Sequence, residues 1–177
     1  LCRLISRGRL RAEKGTCDMG LEDLLEFGGD QLMVLHAPPT EKVQAGATSW
    51  VSQARSLMRR FPQDVMLLLA PAYDGQDTRQ FENIAALAHT LSVPLVASAA
   101  PIMHHGSRRR LTDALTAIRL GVRVDTLGRA AQVNAEQRLR SAAEAAVLFQ
   151  AYPEALTQTG RVLEYLDFSL DSLRYEY

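Results

Sequence analysis

Two adjacent histidines, His104 and His105, follow an apolar run, VPLVASAA, that is typical of a buried strand. Imidazole and carboxylate side chains are the usual ligands of hydrolytic metal centres, and they must converge on one point to hold an ion. Residues of these types follow two other apolar runs as well, namely His36, Glu41, Asp74 and Asp77. One hypothesis is therefore a metal-dependent phosphoesterase that uses His36, Asp74, His104 and His105.

The residues beside the two histidines argue against that hypothesis. Successive side chains of a strand point to opposite faces, so adjacent histidines seldom reach the same ion. The end of the third apolar run itself carries no ligand, because its positions are Ala97, Ala99, Ala100, Pro101 and Ile102. The sequence favours His104 and His105 as surface residues, and it predicts no metal ligand in this chain.

Other catalytic patterns do not occur. There is no Gly-x-Ser-x-Gly motif for a nucleophilic serine and no Gly-x-x-x-x-Gly-Lys phosphate loop. The pair Gly28 and Gly29 precedes a strand, whereas a phosphate loop follows one. We therefore predict no catalytic residue in this segment.

Apolar periodicity predicts the elements that position these loops. Strands are expected in QLMVLHAPP, DVMLLLAPAY and VPLVASAA, and the continuous apolar character of the second is typical of a strand buried on both faces. A first helix is expected within residues 1–14, a second in MGLEDLLEFGGD, a third over 47–61, and a fourth from Asp77, as an N-cap, to Leu91. Alternating strands and helices predict an α/β fold with a small parallel sheet.

The rest of the chain is predicted to be mainly helical. Leu111, Leu115 and Ile118 line one helix, and Ser141 with Glu144 forms a capping box that opens the next. Pro153 suits the first turn of a last helix, which is lined by Leu156, Leu163 and Leu166. The final stretch, FSLDSLRYEY, alternates enough to predict extended chain. Three strands are too few to close a barrel, and the first residue is Leu1, so we expect a longer parent protein.

Composition excludes several classes of protein. The 177 residues suit one soluble domain, and the formal net charge of zero gives no general attraction to nucleic acid or membranes. Cys2 and Cys17 form neither a Cys-x-x-Cys pair nor a disulfide framework, which favours reduced thiols in a cytoplasmic protein. No apolar run approaches the length of a membrane helix.

Charge is nevertheless uneven along the chain. Residues 101–140 contain eight arginines against three acidic residues, whereas 141–177 contain six acidic residues against two arginines. The two segments could face each other. Alternatively, Arg108, Arg109 and Arg110 could contact the phosphates of DNA, which would make the chain a DNA-contacting module.

The order of several motifs resembles a known family. The runs LCRLISRGRLRAEKG, VPLVA, LTDALTAIRLG, NAEQRLRS and FSLDSLRYEY are similar to the N-terminal region of bacterial error-prone DNA polymerases, which are relatives of the replicative polymerase III alpha subunit. The resemblance covers almost the whole chain. It implies the later part of a polymerase and histidinol phosphatase (PHP) domain, hence a partial PHP-type (β/α) barrel with about three parallel strands followed by a helical C-terminal part.

The resemblance also implies what this segment lacks. Family members with an intact PHP site carry an Asp-x-His pair of metal ligands, and the matching positions here are Ala100 and Ile102. Residues 1–140 would then be a metal-degenerate PHP-like domain, and residues 141–177 a helical segment leading toward the polymerase core. Magnesium would belong to that core and not to this segment. The implied partners are the core, DNA through the parent protein and other DNA-damage-response proteins, with no membrane; the implied process is translesion synthesis.

Overall fold

The computed structural model describes residues 1–38 and 48–172, without the side chains of Thr48 and Ser172. Within these ranges the helices are α1 (Cys2–Arg11), α2 (Leu21–Phe27), α3 (Thr48–Arg60), α4 (Asp77–Leu91), α5 (Arg109–Leu120), α6 (Ala142–Leu148) and α7 (Pro153–Glu164). The strands are β1 (Met33–Leu35), β2 (Val65–Leu69) and β3 (Leu95–Ala97). Short 3₁₀ helices span Gly106–Arg108, Val124–Thr126, Gly128–Ala130 and Leu170–Ser172. The predicted α/β class is confirmed.

The three strands form a sheet in the order β1-β2-β3 that does not close into a barrel. β1 and β2 are parallel, with Met33 opposite Val65 and Leu35 opposite Leu67. The amide of Leu67 donates to the carbonyl of Pro94, and the amide of Ser98 donates to the carbonyl of Leu69, at 2.9 and 3.0 Å. Four of the five residues of β2 are buried, as the continuous apolar run predicts.

The chain divides into two compact units. The first contains Leu1–Leu68 and Asn83–Pro94, and the second contains Leu69–Glu82 and Leu95–Tyr177. The first unit has a core of large side chains in which Met33, Leu57, Phe61 and Val65 are all buried. Flanking this core are partly buried apolar residues, Leu21, Leu24, Leu25, Leu35 and Met58. The predicted division at residue 140 remains a prediction.

An ion pair joins the first two helices of the first unit. The carboxylate of Asp23 accepts hydrogen bonds from both terminal nitrogens of Arg11, at 3.0 and 2.7 Å, and from the amide of Gly20 at 2.9 Å. The hydrogen bonds from Arg11 and Gly20 lower the pKa of Asp23 below its ordinary value. The Asp23 carboxylate therefore stays ionised near neutral pH, and it also caps the start of α2.

The second unit packs its last helix on β3 through small side chains. Ala155 of α7 is buried, and the hydroxyl of Thr159 donates to the carbonyl of Ala97 at 2.7 Å. The unit also contains larger groups, since the ring of Phe81 stacks on that of Phe149 with centroids 5.7 Å apart. The unit therefore combines close helix-to-strand contact with one aromatic cluster.

Predictions about helix boundaries have mixed outcomes. The capping box is confirmed, since the amide of Glu144 donates to the hydroxyl of Ser141 and the amide of Ser141 donates to the Glu144 carboxylate. Pro153 opens α7, as predicted. The extended C-terminal stretch is wrong where it is described, because Leu170–Ser172 forms a 3₁₀ helix. Residues 173–177 lie outside the described residues. None of the described helices combines the length and apolar character that crossing a bilayer demands.

Candidate functional site

The loops that leave β2 and β3 at their carboxyl ends form the candidate site of the second unit. Such loops carry the functional groups in most parallel α/β folds, because the strand ends hold them in fixed positions. The loop after β2 contains Tyr73 and Asp74 and ends at Asp77, where α4 begins, and the loop after β3 contains Ala100, Ile102 and the two histidines.

Both acidic residues of the first loop stabilise the loop itself. The carboxylate of Asp77 accepts from the amides of Ala72 and Tyr73, at 2.7 and 3.1 Å, and that of Asp74 accepts from the amide of Gln76 at 2.9 Å. Asp77 is the first residue of α4 and not its predicted N-cap, because the amide of Gln80 donates to the carbonyl of the preceding residue, Gln76, at 3.0 Å. These carboxylates serve as turn acceptors in this arrangement.

The two histidines lie on the surface, as the sequence favours. His104 and His105 are both exposed. The Nδ1 atom of His105 accepts from the amide of Ser107 at 3.2 Å and lies 2.9 Å from its hydroxyl, so this ring caps Gly106–Arg108. His36 follows β1 in the first unit and is exposed there, while Glu41 lies outside the described residues. Across residues 1–38 and 48–172, no three His, Cys, Asp or Glu side chains group closely enough to hold a metal ion.

Ala100 and Ile102 provide only backbone groups to the loop after β3. Ala100 has a left-handed backbone, with φ of 46°, and its amide donates to the hydroxyl of Ser98 at 3.1 Å. Ile102 is 47% exposed, and its amide donates to the carbonyl of Gln137 at 3.0 Å. Methyl and butyl side chains have no lone pair to donate, so these two positions cannot ligate an ion.

A polar cluster around Tyr73 and Arg140 occupies the same loops, and sequence reasoning missed it. The Tyr73 hydroxyl donates to the carbonyl of Ala99 at 3.0 Å, while Nε of Arg140 donates to that hydroxyl oxygen at 3.3 Å. The guanidinium carbon of Arg140 lies 5.1 Å from the centroid of the Tyr73 ring, which is a cation–π geometry. The Arg140 side chain is only 12% exposed and also binds Glu136 at 2.9 Å.

Burial by itself would lower the pKa of Arg140, but its hydrogen bonds to Tyr73 and Glu136 raise it overall. The guanidinium therefore remains charged at every physiological pH. This charged guanidinium, paired with the Glu136 carboxylate, lies beside the strand-end loops.

The segment that carries Arg140 is hydrogen-bonded to both loops. The side-chain amide of Asn134 donates to the carbonyl of Tyr73 at 2.6 Å, and that of Gln137 donates to the carbonyl of Ala100 at 3.4 Å. The amide of Leu139 donates to the carbonyl of Met103 at 3.0 Å. Among the described residues, no buried side-chain nitrogen or oxygen lacks a hydrogen-bond partner. The chain's own groups therefore satisfy the buried side-chain polar atoms of these loops.

The three consecutive arginines lie at the start of α5 and are exposed. The side chain of Arg109 has two partners within the chain: it donates to the carbonyl of Gln132 at 2.7 Å and lies 3.8 Å from the carboxylate of Asp113. These arginines lie at the positive end of the helix dipole, and the first turn of α5 has no acidic residue that would offset their charge.

One ion pair links the basic and acidic segments of the chain. Arg138 donates to the Glu144 carboxylate at 2.5 Å. Together with the amide and hydroxyl of Ser141, this guanidinium lowers the pKa of Glu144 to about 2. The other ion pairs described within residues 101–140 are local, between Arg109 and Asp113, Arg123 and Asp125, and Arg140 and Glu136.

No protein family model matches the chain. Curated relatives match it from end to end, and those named here are all called error-prone DNA polymerase. The protein of Ruegeria pomeroyi is 41% identical over 177 residues, that of Sinorhizobium medicae 38% over 177, and that of Bradyrhizobium sp. 35% over 183. The chain is homologous to a segment of the error-prone DNA polymerases.

The resemblance inferred from the sequence is thereby confirmed. The chain spans only about 16% of the length of the error-prone DNA polymerases of Ruegeria pomeroyi and Sinorhizobium medicae, although it is matched over its entire length. By their names, these relatives are enzymes, namely DNA polymerases.

Proposed function

We propose that the chain is a non-catalytic segment of the PHP type that supports the core of an error-prone DNA polymerase, acting in translesion synthesis and DNA repair in the cytoplasm. The observation that carries the proposal is the match to error-prone polymerases along the whole chain, at 35–41% identity. The absence of ligand atoms at Ala100 and Ile102 supports the non-catalytic role. The residues described do not fit a PHP metal centre, so the proposal includes no metal-dependent step, and magnesium would act only in the core.

The supporting role is tested in a chimeric polymerase. In this protein the matching segment of the Ruegeria pomeroyi relative is replaced by the present chain, and primer extension is compared with that of a version lacking the segment. We expect the chimeric polymerase to extend primers and the shortened version to lose most of its activity. Equal activity of the two proteins would contradict a supporting role.

The non-catalytic assignment needs a separate measurement on the 177-residue chain. The chain is incubated with zinc or manganese, its metal content is measured by mass spectrometry, and hydrolysis of p-nitrophenyl phosphate is followed. We expect substoichiometric metal and no hydrolysis. Stoichiometric metal, with hydrolysis that His104→Ala or His105→Ala removes, would instead establish the phosphoesterase that uses His36, Asp74, His104 and His105.

A second candidate role is contact with DNA phosphates through Arg108, Arg109 and Arg110. The exposure of all three, at a helix start whose first turn has no acidic residue, supports it; Arg109 is already paired with Asp113. Because phosphate contacts release counterions, the affinity for DNA should fall steeply with salt. Binding of the chimeric polymerase to primed DNA is measured across a salt series, with Arg108→Gln and Arg110→Gln together as the variant. An unchanged salt slope would exclude this role.

A further inference from the structure

An ordinary surface helix buries its large apolar side chains and exposes its polar ones. Helix α5 has the reverse arrangement. Its large apolar side chains are exposed, Leu111 by 53%, Leu115 by 58% and Ile118 by 75%. Steps of four and three residues place them in one stripe along the helix. The face toward the rest of the unit carries small and polar groups instead: Ala117 is 3% exposed, and the Asp113 carboxylate accepts from the amide of Gln132.

The apolar surface continues beyond the end of the helix. Val122 and Val124 are 45% and 54% exposed, in the turn that follows α5. A surface groove of about 630 Å³ is lined by both valines, by Ala114, Ala117 and Ile118, and by the ion pair of Arg123 and Asp125. Contiguous apolar surface of this kind marks interaction sites on soluble proteins, whereas isolated exposed leucines do not.

One arginine lies near each end of the stripe. Arg108 is the N-cap residue that precedes the stripe, and Arg119 follows Leu115 by four residues within the helix, so one arginine lies at each end of the stripe. Both are exposed. A partner complementary to this surface would therefore have an apolar centre with carboxylates at both ends.

We propose that this outer face of α5 is where the remainder of an error-prone DNA polymerase packs against the segment. The inference rests on the proposed supporting function. The occupant follows from the extent of the match: the whole chain aligns, yet it spans only 15–16% of each relative named above, so more than four-fifths of each polymerase lies outside it. In those relatives the remainder is covalently linked to the matching segment, and linkage gives it a high effective concentration at the corresponding surface.

Side-chain footprinting reads the surface directly. Carbene labelling of Leu111, Leu115 and Ile118 is quantified by mass spectrometry in the 177-residue chain and in the chimeric polymerase. We expect labelling of these residues to fall at least about fivefold in the chimeric polymerase, because a packed interface excludes the reagent. Equal labelling in the two proteins overturns the proposal. Protection in the isolated chain that grows with its concentration also overturns it, because the occupant would then be a second copy.

A matched pair of variants tests the contribution of apolar character. In the first variant Leu111, Leu115 and Ile118 are replaced by Gln, and in the second they are replaced by Met; both residues favour helix, but only Met stays apolar. Binding of the chain in trans to the Ruegeria pomeroyi polymerase lacking the matching segment is measured by fluorescence anisotropy. We expect the Gln variant to bind at least about tenfold more weakly, and the Met variant to bind within about twofold of the original.

The results of these experiments distinguish an error in the proposed interface from an error in the supporting function. If the original chain binds and the Gln variant binds equally well, the proposal that α5 forms the interface is wrong, while the supporting function stands. If the chimeric polymerase extends primers while α5 stays fully labelled, the conclusion is the same. If the original chain fails to bind and the chimeric polymerase fails to extend primers, the supporting function fails and the surface with it.

Discussion

Helices α3 and α5 carry apolar residues at the same helical spacing and use them in opposite ways. In α3, Ala54 and Leu57 are 3% and 5% exposed, and they belong to the inner face that Phe61 extends. In α5, Leu115 is 58% exposed, and the buried position is Ala117. Spacing thus tells which residues share a face. It does not tell whether the same compact unit covers that face.

The largest expected loss of stability is at the buried face of α3. Phe61→Ala should lower the free energy of unfolding by about 3–5 kcal/mol, because it leaves a cavity beside Met33, Leu57 and Val65. Urea denaturation followed by circular dichroism measures the change. Gln53→Ala, on the exposed face of α3, is the matched control and should change stability by less than about 0.5 kcal/mol. A small loss for Phe61→Ala would remove the contrast between the helices.

Ala117→Leu tests whether α5 really packs through small side chains. Ala117 is buried, so a larger side chain must displace its neighbours, and we expect a loss of about 1–3 kcal/mol. The same measurement on Ala146→Leu provides the control, because Ala146 is exposed on α6. If both substitutions were tolerated equally, the inner face of α5 would have room for large residues.

Arg140→Met tests the polar cluster of the second unit, which has no counterpart in the apolar core around α3. Loss of the guanidinium removes hydrogen bonds to Tyr73 and Glu136, and we expect about 1–2 kcal/mol less stability. Arg140→Lys keeps the charge and should recover part of that loss. The near-ultraviolet circular dichroism of the tyrosines should change with Met and less with Lys. Identical spectra and stabilities for all three proteins would contradict the cluster.

Acid should weaken the second unit through Glu144. Its pKa is lowered from 4.5 to about 2 in the folded chain, so the stabilisation from its ion pair is complete above about pH 4.5 and disappears as the pH falls toward 2. The stability difference between the original chain and Glu144→Gln should therefore shrink over this range. Denaturation at several pH values measures it. Arg138→Gln should remove part of this pH dependence, because the hydrogen bonds from Ser141 remain, and adding it to Glu144→Gln should have little further effect.

The smallest loss of stability is expected at the exposed apolar face of α5. Leu115→Ala should change the stability of the isolated chain by less than about 0.5–1 kcal/mol, since the side chain is already largely in water. The same denaturation experiment applies. A loss as large as that of Phe61→Ala would show that the unit itself covers this face, and the comparison between α3 and α5 would collapse.

Local pattern predicted much of the fold and little of the site. The run VMLLL predicted a strand buried on both faces, and the spacing of Ser141 and Glu144 predicted a helix start; the structure confirms both. The absence of ligand atoms at Ala100 and Ile102 was also visible in the sequence. By contrast, nothing local linked Tyr73 to Arg140, which are 67 residues apart.

The sequence by itself determined where helices and strands form and which side chains carry no ligand atoms, because both depend on residue type and on spacing within one element. Only the tertiary structure decided that Asp74 and Asp77 bind loop amides, that Arg140 lies against Tyr73, and that α5 faces inward with Ala117 and outward with Leu115. These outcomes depend on which distant segments come within a few ångströms of each other. Burial and hydrogen bonding are properties of that proximity, and local spacing does not encode it.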